Sequence, residues 1–232
     1  MAIYLYCLLS GPHEPPADLR GIDDSPVRAV DVGGLRAWVS DTGGSAVTPS
    51  PERARSHDRV VRAALELATP LPARFGQVVS DEAALATLVE PRRAAFSAAL
   101  ERLAGMVEMT VRVILPAHGR EGPTLAGQEG RAASGREYLE RVAVTQRQER
   151  NLLAEAGIVR EHIRSAVREL VRAEAFAGAA AGSSMITVSH LIPRGHIEHY
   201  RRAIGALRED QPSLAIMVSG PWAPYSFAEA IG

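Results

Sequence analysis

Residues 107–115, VEMTVRVIL, form the stretch on which the fold assignment of this chain depends most. Its odd-numbered positions up to 113 are valine or methionine, whereas its even-numbered positions up to 112 are Glu108, Thr110 and Arg112. This alternation has the period of two that is typical of a β-strand with one buried face. The strand follows Gly105, where a preceding helical pattern ends, so we predict a first domain over residues 1–104 and a second over 105–232.

Helices and strands alternate after this stretch. Residues 116–134 are rich in glycine and polar side chains, which predicts a flexible loop. A long helix is predicted from Gly135 to about Phe176, because apolar residues recur there at spacings near three and four: Leu139, Val142, Leu153, Ala156, Ile163, Val167 and Leu170. The strand MITVSHLIP, the helix GHIEHYRRAIGALRED and the strand PSLAIMVSG follow. The order β-α-β-α-β predicts a modified ferredoxin-like sheet with its helices on one face.

The first half of the chain also mixes strands and helices. AIYLYCLL predicts a buried strand, and VRAVDV and LRAWVS, which flank Gly33 and Gly34, predict a β-hairpin. Ser50 and Pro51 mark the start of a helix that Pro70 ends. LPARFGQVV is strand-like, and a second helix begins near Asp81 and is interrupted at Pro91. The predicted fold class is therefore α+β, with two α+β domains.

Composition excludes several classes of protein. The 232 residues carry a net charge of -1, which favours neither nucleic acid nor a membrane surface as a partner. All 26 basic residues are arginine, which indicates either GC-rich coding or a surface that prefers bidentate donors. The single cysteine, Cys7, lies in a predicted strand, which fits a reducing compartment. No signal peptide or transmembrane segment is recognisable, so we expect a cytoplasmic protein.

Two sets of residues could carry chemistry. His190, His196 and His199 could hold a metal ion, although a polar helix face explains them as well. His57, Arg74 and Glu108 could form an enzyme site, but Arg74 and Glu108 could equally form a buried structural ion pair, or Arg74 could bind a partner. The sequence contains no dinucleotide-binding, phosphate-loop or nucleophile-elbow motif, and it has no paired cysteines. We therefore expect no cofactor.

The C-terminal stretch SGPWAPYSF, residues 219–227, places three large aromatic residues among two prolines. Pro221 and Pro224 predict that the preceding strand does not continue as a central strand. We expect an extended segment that lays Trp222, Tyr225 and Phe227 over the first domain or the domain interface. The alternative is that these side chains are presented to a partner protein.

Seven stretches occur in an order that resembles the gas vesicle protein GvpF/GvpL family: IYLYCLLSG, LRAWVS, HDRVV, LPARFGQVVSDEAAL, LAGMVEMTVRV, GREYLERV and SGPWAPYSF. The family pattern near the C-terminus is close to G-P-W-P-P-Y-S-F, and Ala223 replaces its middle proline here. A second family pattern is close to L-P-L-R-F-G-T, where Ala73 and Gln77 replace a leucine and the threonine. The resemblance covers essentially the whole chain.

The resemblance implies a role without catalysis. Family members are minor components or assembly factors of gas vesicles, and they are thought to bind the small hydrophobic shell protein (GvpA-like) and other accessory proteins. It also implies two α+β domains and a location at the gas vesicle in the cytoplasm, with no nucleic acid or membrane as partner. The residues that match the two family motifs are candidates for a structural or partner-binding role: Arg74, Phe75, Gly76, Pro221, Trp222, Tyr225 and Phe227. The alternatives are an enzyme that uses His57, Arg74 and Glu108, or a ferredoxin-like module that binds nucleic acid.

Overall fold

The computed structural model describes residues 1–115, 135–177, 184–228 and 231. The predicted loop at 116–134 lies outside the described residues. The chain divides into two compact units. The first contains residues 1–109, 191–195 and 220–232, and the second contains residues 110–190 and 196–219. The division at residues 104 and 105 stays a prediction, although residues 220–232, which it gave to the second domain, group with the first unit.

The first unit contains a five-stranded sheet. Its strands are β1 (Ala2–Ser10), β2 (Val27–Val32), β3 (Leu35–Thr42), β4 (Leu71–Pro72) and β5 (Val78–Val79). The order is β2-β3-β1-β4, and β5 also pairs with β1. Val32 lies opposite Leu35 in an antiparallel pair, which confirms the predicted hairpin. Gly33 and Gly34 both have positive φ angles, +61° and +85°, as the two-residue turn requires.

Three helices accompany this sheet: α1 (Pro51–Leu67), α2 (Glu82–Val89) and α3 (Arg93–Leu103). The Ser50 hydroxyl accepts the Arg53 amide at 3.2 Å, which confirms the predicted helix start. Asp81 caps α2 in the same way through the Ala84 amide. A 3-10 turn at Glu90–Arg92 separates α2 from α3, which confirms the predicted interruption at Pro91.

Strand β1 lies at the centre of the first sheet and is buried from Ile3 to Leu9. A core cluster around it includes Tyr4, Tyr6, Trp38, Val60 and Ala64. Cys7 is fully buried in this strand, and burial raises the pKa of its thiol. A thiol that stays protonated is a poor nucleophile, so Cys7 packs as a small apolar side chain.

The second sheet is built from β6 (Met106–Ile114), β7 (Ala173–Ala177), β8 (Met185–Pro193) and β9 (Ala215–Trp222). Helix α4 (Gly135–Val167) lies between β6 and β7 in the chain, and α5 (Ile197–Asp210) lies between β8 and β9. The strand order is β7-β8-β6-β9. The chain order β-α-β-β-α-β is the ferredoxin-like arrangement, and the α+β fold class is confirmed.

Four details differ from the sequence prediction. The long helix ends at Val167, and Ala173–Ala177 form β7, because neighbouring strand β8 overrides the helix propensity of alanine and glutamate. Within α4, Ala156, Ile163 and Val167 are buried as predicted, whereas Leu153 is 60% exposed and Val159 is buried instead.

The other two differences concern strands. Glu108 and Thr110 are buried, so the first half of β6 is covered on both faces instead of one. Strand β9 ends at Trp222, two residues beyond the predicted end at Gly220, and it is an edge strand, which agrees with the expectation that Pro221 excludes a central strand.

Candidate functional site

The ARFG segment, residues 73–76, leads from β4 towards β5 and places its motif residues in different environments. The Arg74 side chain is exposed, Phe75 is half-buried and Gly76 adopts a φ of +91°. A side chain at Gly76 would be strained in this left-handed conformation. The Gly76 amide donates to the Tyr4 hydroxyl at 3.0 Å, which ties the segment to β1.

An aromatic cluster forms where β1, α1 and this segment meet, and it consists of Tyr4, Tyr6, His57, Phe75 and Tyr225. The Tyr4 and Tyr6 ring centroids are 4.9 Å apart, and His57 lies 5.9 Å from Phe75 and 6.5 Å from Tyr225. The period of two along β1 brings both tyrosines to one face, which is the signal for this cluster in the sequence.

Hydrogen bonding fixes the centre of the cluster. The Tyr4 hydroxyl accepts the Gly76 amide and lies 2.9 Å from His57 Nδ1, to which it can donate its own proton. Burial lowers the pKa of His57 to about 4, and burial raises the pKa of Tyr4 to about 12. Both groups are therefore neutral at pH 7, so the cluster is a packed structural centre rather than a titrating pair.

The C-terminal tail, described at residues 220–228 and 231, packs within the first unit. Ala223, Pro224 and Ile231 are buried, while Trp222 and Phe227 are half-buried. The Arg62 guanidinium lies 4.6 Å from the centre of the Trp222 ring, and the Arg102 side chain donates to the Phe227 carbonyl at 3.2 Å. These contacts favour the covering role for the tail, although Tyr225 stays 40% exposed.

Glu108 of β6 holds the tail in place. Its carboxylate accepts two hydrogen bonds of 2.8 Å, one from the Ser226 amide and one from the Ser226 hydroxyl. The predicted Arg74–Glu108 ion pair is therefore wrong, since Arg74 is exposed and Glu108 is bound by Ser226. Sequence reasoning missed Ser226, because nothing local to it indicates a partner 118 residues away.

The three residues of the enzyme hypothesis are engaged separately. His57 bonds to Tyr4, Glu108 bonds to Ser226, and Arg74 points towards solvent. A catalytic site requires such groups to converge on one position where a substrate atom can sit. Because these three side chains do not converge, they do not form such a site, and the enzyme hypothesis loses its basis.

The predicted histidine group lies in the second unit. His190 is buried, with Nδ1 at 2.7 Å from the Tyr200 hydroxyl and Nε2 at 3.3 Å from Glu174. Burial lowers the pKa of His190, and Glu174 is also paired with Arg160 at 2.6 Å. His196 and His199 stack edge to face with centroids 6.5 Å apart. Across the described residues, no group of three or more histidine, cysteine, aspartate or glutamate side chains could hold a metal ion.

Comparison with known proteins gives matches over the whole chain. A family model described as gas vesicle synthesis protein GvpL/GvpF matches residues 2–229. The chain is 28% identical to gas vesicle protein L of Streptomyces sp. (strain CB03234), over 93% of this chain and 84% of the relative. It is also 28% identical to gas vesicle protein F of the same strain, over 99% of this chain and 100% of the relative.

The fold is also similar to a solved structure. The crystal structure of the gas vesicle protein GvpF from Anabaena sp. PCC7120 superposes with a TM-score of 0.81 at 22% identity, covering 98% of this chain and 96% of that chain. At this level of identity the likeness establishes the shared α+β fold. Among the helices of the described residues, none combines the length and the hydropathy that a membrane span needs.

Proposed function

Because the chain belongs to the gas vesicle synthesis protein GvpL/GvpF family, we propose that it binds the small hydrophobic shell protein and supports vesicle nucleation and growth. It would act as an assembly factor or as a minor component of the vesicle. The observation that carries this proposal is the family match over residues 2–229, which covers all of the second unit and all of the first except residues 1 and 230–232.

Physical chemistry explains why such a partner is needed. A shell that keeps water out of a gas space must have an apolar inner face, so its free subunit exposes apolar surface and tends to aggregate. A partner protein that covers this surface until the subunit joins the shell prevents the aggregation. The second unit has exposed apolar side chains that support this role: Ile114, Leu153, Ile158, Phe176, Met217 and Val218.

We further propose that the two family motifs serve this role indirectly. Phe75, Gly76, Pro221, Trp222 and Phe227 build and cover the first unit, because they are half-buried and most of them contact its other residues. Arg74 and Tyr225 are the exposed members of the motifs and are the ones available for direct contact with a partner.

Copurification tests the proposal. A tagged form of this chain, expressed together with the vesicle shell protein, should retain the shell protein on the affinity resin and keep it in the supernatant after centrifugation. A tagged control of similar size and charge should leave the shell protein in the pellet. Failure of the folded chain to retain or protect the shell protein, including after chemical cross-linking in cells, would contradict the proposal.

A further inference from the structure

Strand β9 lies at one end of the four-stranded sheet, and residues 215–218 at its outer edge have the chemistry of a docking site. We propose that residues 215–218 of this edge accept an extended, uncharged segment of the vesicle shell protein as an additional β-strand. The inference rests on the proposed function, and it specifies the surface and the mode of binding that the function would use.

Within the described part of the chain, β9 occupies an edge position and three of its residues are exposed. Strand β9 is the terminal member of the order β7-β8-β6-β9. Ala215 is exposed, and Met217 and Val218 are 50% and 39% exposed. Because successive side chains of a strand point to opposite faces of the sheet, Met217 and Val218 expose apolar surface on both faces, although Ile216, on the same face as Val218, is buried.

The charge pattern distinguishes this edge from the others. No aspartate, glutamate, arginine or histidine occurs between residues 211 and 228. Edge strand β2 carries Arg28 and Asp31, and edge strand β7 carries Glu174, while β4 and β5 are only two residues long. Charged side chains and short length are the usual means by which proteins prevent an edge from pairing with another chain. Within the described residues, β9 has neither protection over residues 215–218, and its one proline, Pro221, lies beyond this stretch.

The same features indicate which kind of partner segment this edge would bind. A sheet edge offers amide and carbonyl groups in the spacing of a β-strand, so its complement is an extended backbone. A neutral edge with apolar side chains on both faces favours a segment that is itself uncharged and apolar. The shell protein of the proposed function has this chemistry, because its surface must exclude water.

A second copy of this chain is a weaker candidate. Pairing of two β9 edges over residues 215–218 would bring together three exposed apolar side chains from each copy, those of Ala215, Met217 and Val218. Such a contact is far smaller than the roughly 1,200 Å² that specific, stable interfaces bury. We therefore expect this chain alone not to dimerise through β9.

Charge substitution at the edge tests the inference. Met217→Glu places a carboxylate on the edge, whereas Leu153→Glu places one on α4, where Leu153 is also exposed. Both variants should unfold at the temperature of the unmodified chain, since neither side chain is buried. Titration with purified shell protein in detergent should show at least a ten-fold loss of affinity for Met217→Glu and less than a two-fold change for Leu153→Glu.

Hydrogen exchange provides a readout of strand addition itself. Amides in a peptide that spans residues 212–220 should exchange more slowly when the shell protein is bound, and this protection should be absent in Met217→Glu. Equal affinity of the two variants, or no protection of this peptide, would overturn the docking site and leave the proposed function in place. Absence of binding by the unmodified chain would overturn both, and a dimer of this chain that Met217→Glu dissociates would identify a second copy as the occupant and overturn the proposal.

Discussion

At the scale of single residues, Ser226 stabilises the tail by binding a buried carboxylate. Glu108 is 5% exposed, and both of its oxygens accept hydrogen bonds from Ser226. A carboxylate removed from water needs such donors, because burial without them is costly. Ser226 is the serine of the C-terminal family pattern, but the pattern alone does not show that its partner is Glu108.

We predict that Ser226→Ala lowers the free energy of unfolding by about 1–2 kcal/mol, because one of the two hydrogen bonds to Glu108 is lost. Urea unfolding followed by circular dichroism measures the change. Arg74→Ala is the matched control, and we expect its change to stay within about 0.5 kcal/mol because Arg74 is exposed. A larger loss for Arg74→Ala than for Ser226→Ala would contradict this account of the Glu108 site.

His57 gives the first unit a dependence on pH. Burial lowers the pKa of His57 from its ordinary value of 6.5 to about 4. Above pH 6.5 both the folded and the unfolded chain hold the ring neutral, so His57 has no effect there. Between pH 6.5 and pH 4 the unfolded chain binds a proton that the folded chain does not, so stability falls as the pH falls. The full effect is about 3 kcal/mol.

We predict that His57→Gln makes the free energy of unfolding less dependent on pH between 6.5 and 4, although the variant is less stable at pH 7 because the Tyr4 contact changes. Urea unfolding at half-unit pH intervals measures this slope. His162→Gln replaces an exposed histidine of α4 and should preserve the slope of the unmodified chain. Burial also lowers the pKa of His190, so part of the slope should remain in His57→Gln.

At the scale of secondary structure, the helix starts depend on single caps. Ser50 and Ser80 both precede helices in the sequence, but the structure uses Ser50 for α1 and Asp81 for α2. The side chain of each cap accepts an amide of the first turn that has no partner within the helix. The two serines are therefore a matched pair, of which only Ser50 caps a helix.

We predict that Ser50→Ala destabilises the chain by about 1 kcal/mol, as expected for loss of a helix cap. Ser80→Ala should change stability by less than about 0.5 kcal/mol, since Ser80 is exposed and Asp81 caps the helix. Thermal unfolding of the three proteins side by side measures the difference. If the two substitutions lowered stability equally, the Ser50 cap would contribute nothing specific to the stability of the chain.

Local signals account for the elements that the sequence predicted correctly. The Gly33–Gly34 turn, the Ser50 cap and the interruption at Pro91 each depend on neighbouring residues, so the sequence is sufficient for them. Strand β7 was missed because AEAFA has high helix propensity, and only pairing with β8 makes it a strand. The burial of Glu108 was missed for a similar reason, since Ser226 covers it from 118 residues away.

At the scale of the whole molecule, the C-terminal tail completes the first unit from the far end of the chain. Residues 1–109 supply the five-stranded sheet and its helices, and residues 220–232 group with them. Ala223 belongs to the same core cluster as Tyr4 and Trp38. The sequence predicts a covering role for the tail from its aromatic residues, but the buried residues of the tail are Ala223, Pro224 and Ile231, and Ser226 adds the hydrogen bonds to Glu108.

We therefore predict that removal of residues 221–232 lowers the free energy of unfolding by an amount on the order of 5 kcal/mol. The truncation removes both hydrogen bonds that Glu108 accepts from Ser226, and it removes the buried side chains of Ala223 and Ile231. It also removes the contact of Trp222 with Arg62. Against a typical total of 5–15 kcal/mol, this loss should lower the unfolding temperature sharply or prevent folding at 37 °C.

Adding the tail back as a separate peptide distinguishes lost contacts from general damage. A peptide of residues 219–232, titrated into the truncated chain at low temperature, should raise its unfolding temperature in proportion to the logarithm of peptide concentration once the site is saturated. The same peptide with Ser226→Ala should bind more weakly, because it offers Glu108 one donor fewer. A peptide of the same composition in scrambled order should have no effect. If the truncated chain unfolds at the same temperature as the full chain, the tail does not stabilise the first unit, and its aromatic residues are then better explained as a surface for a partner.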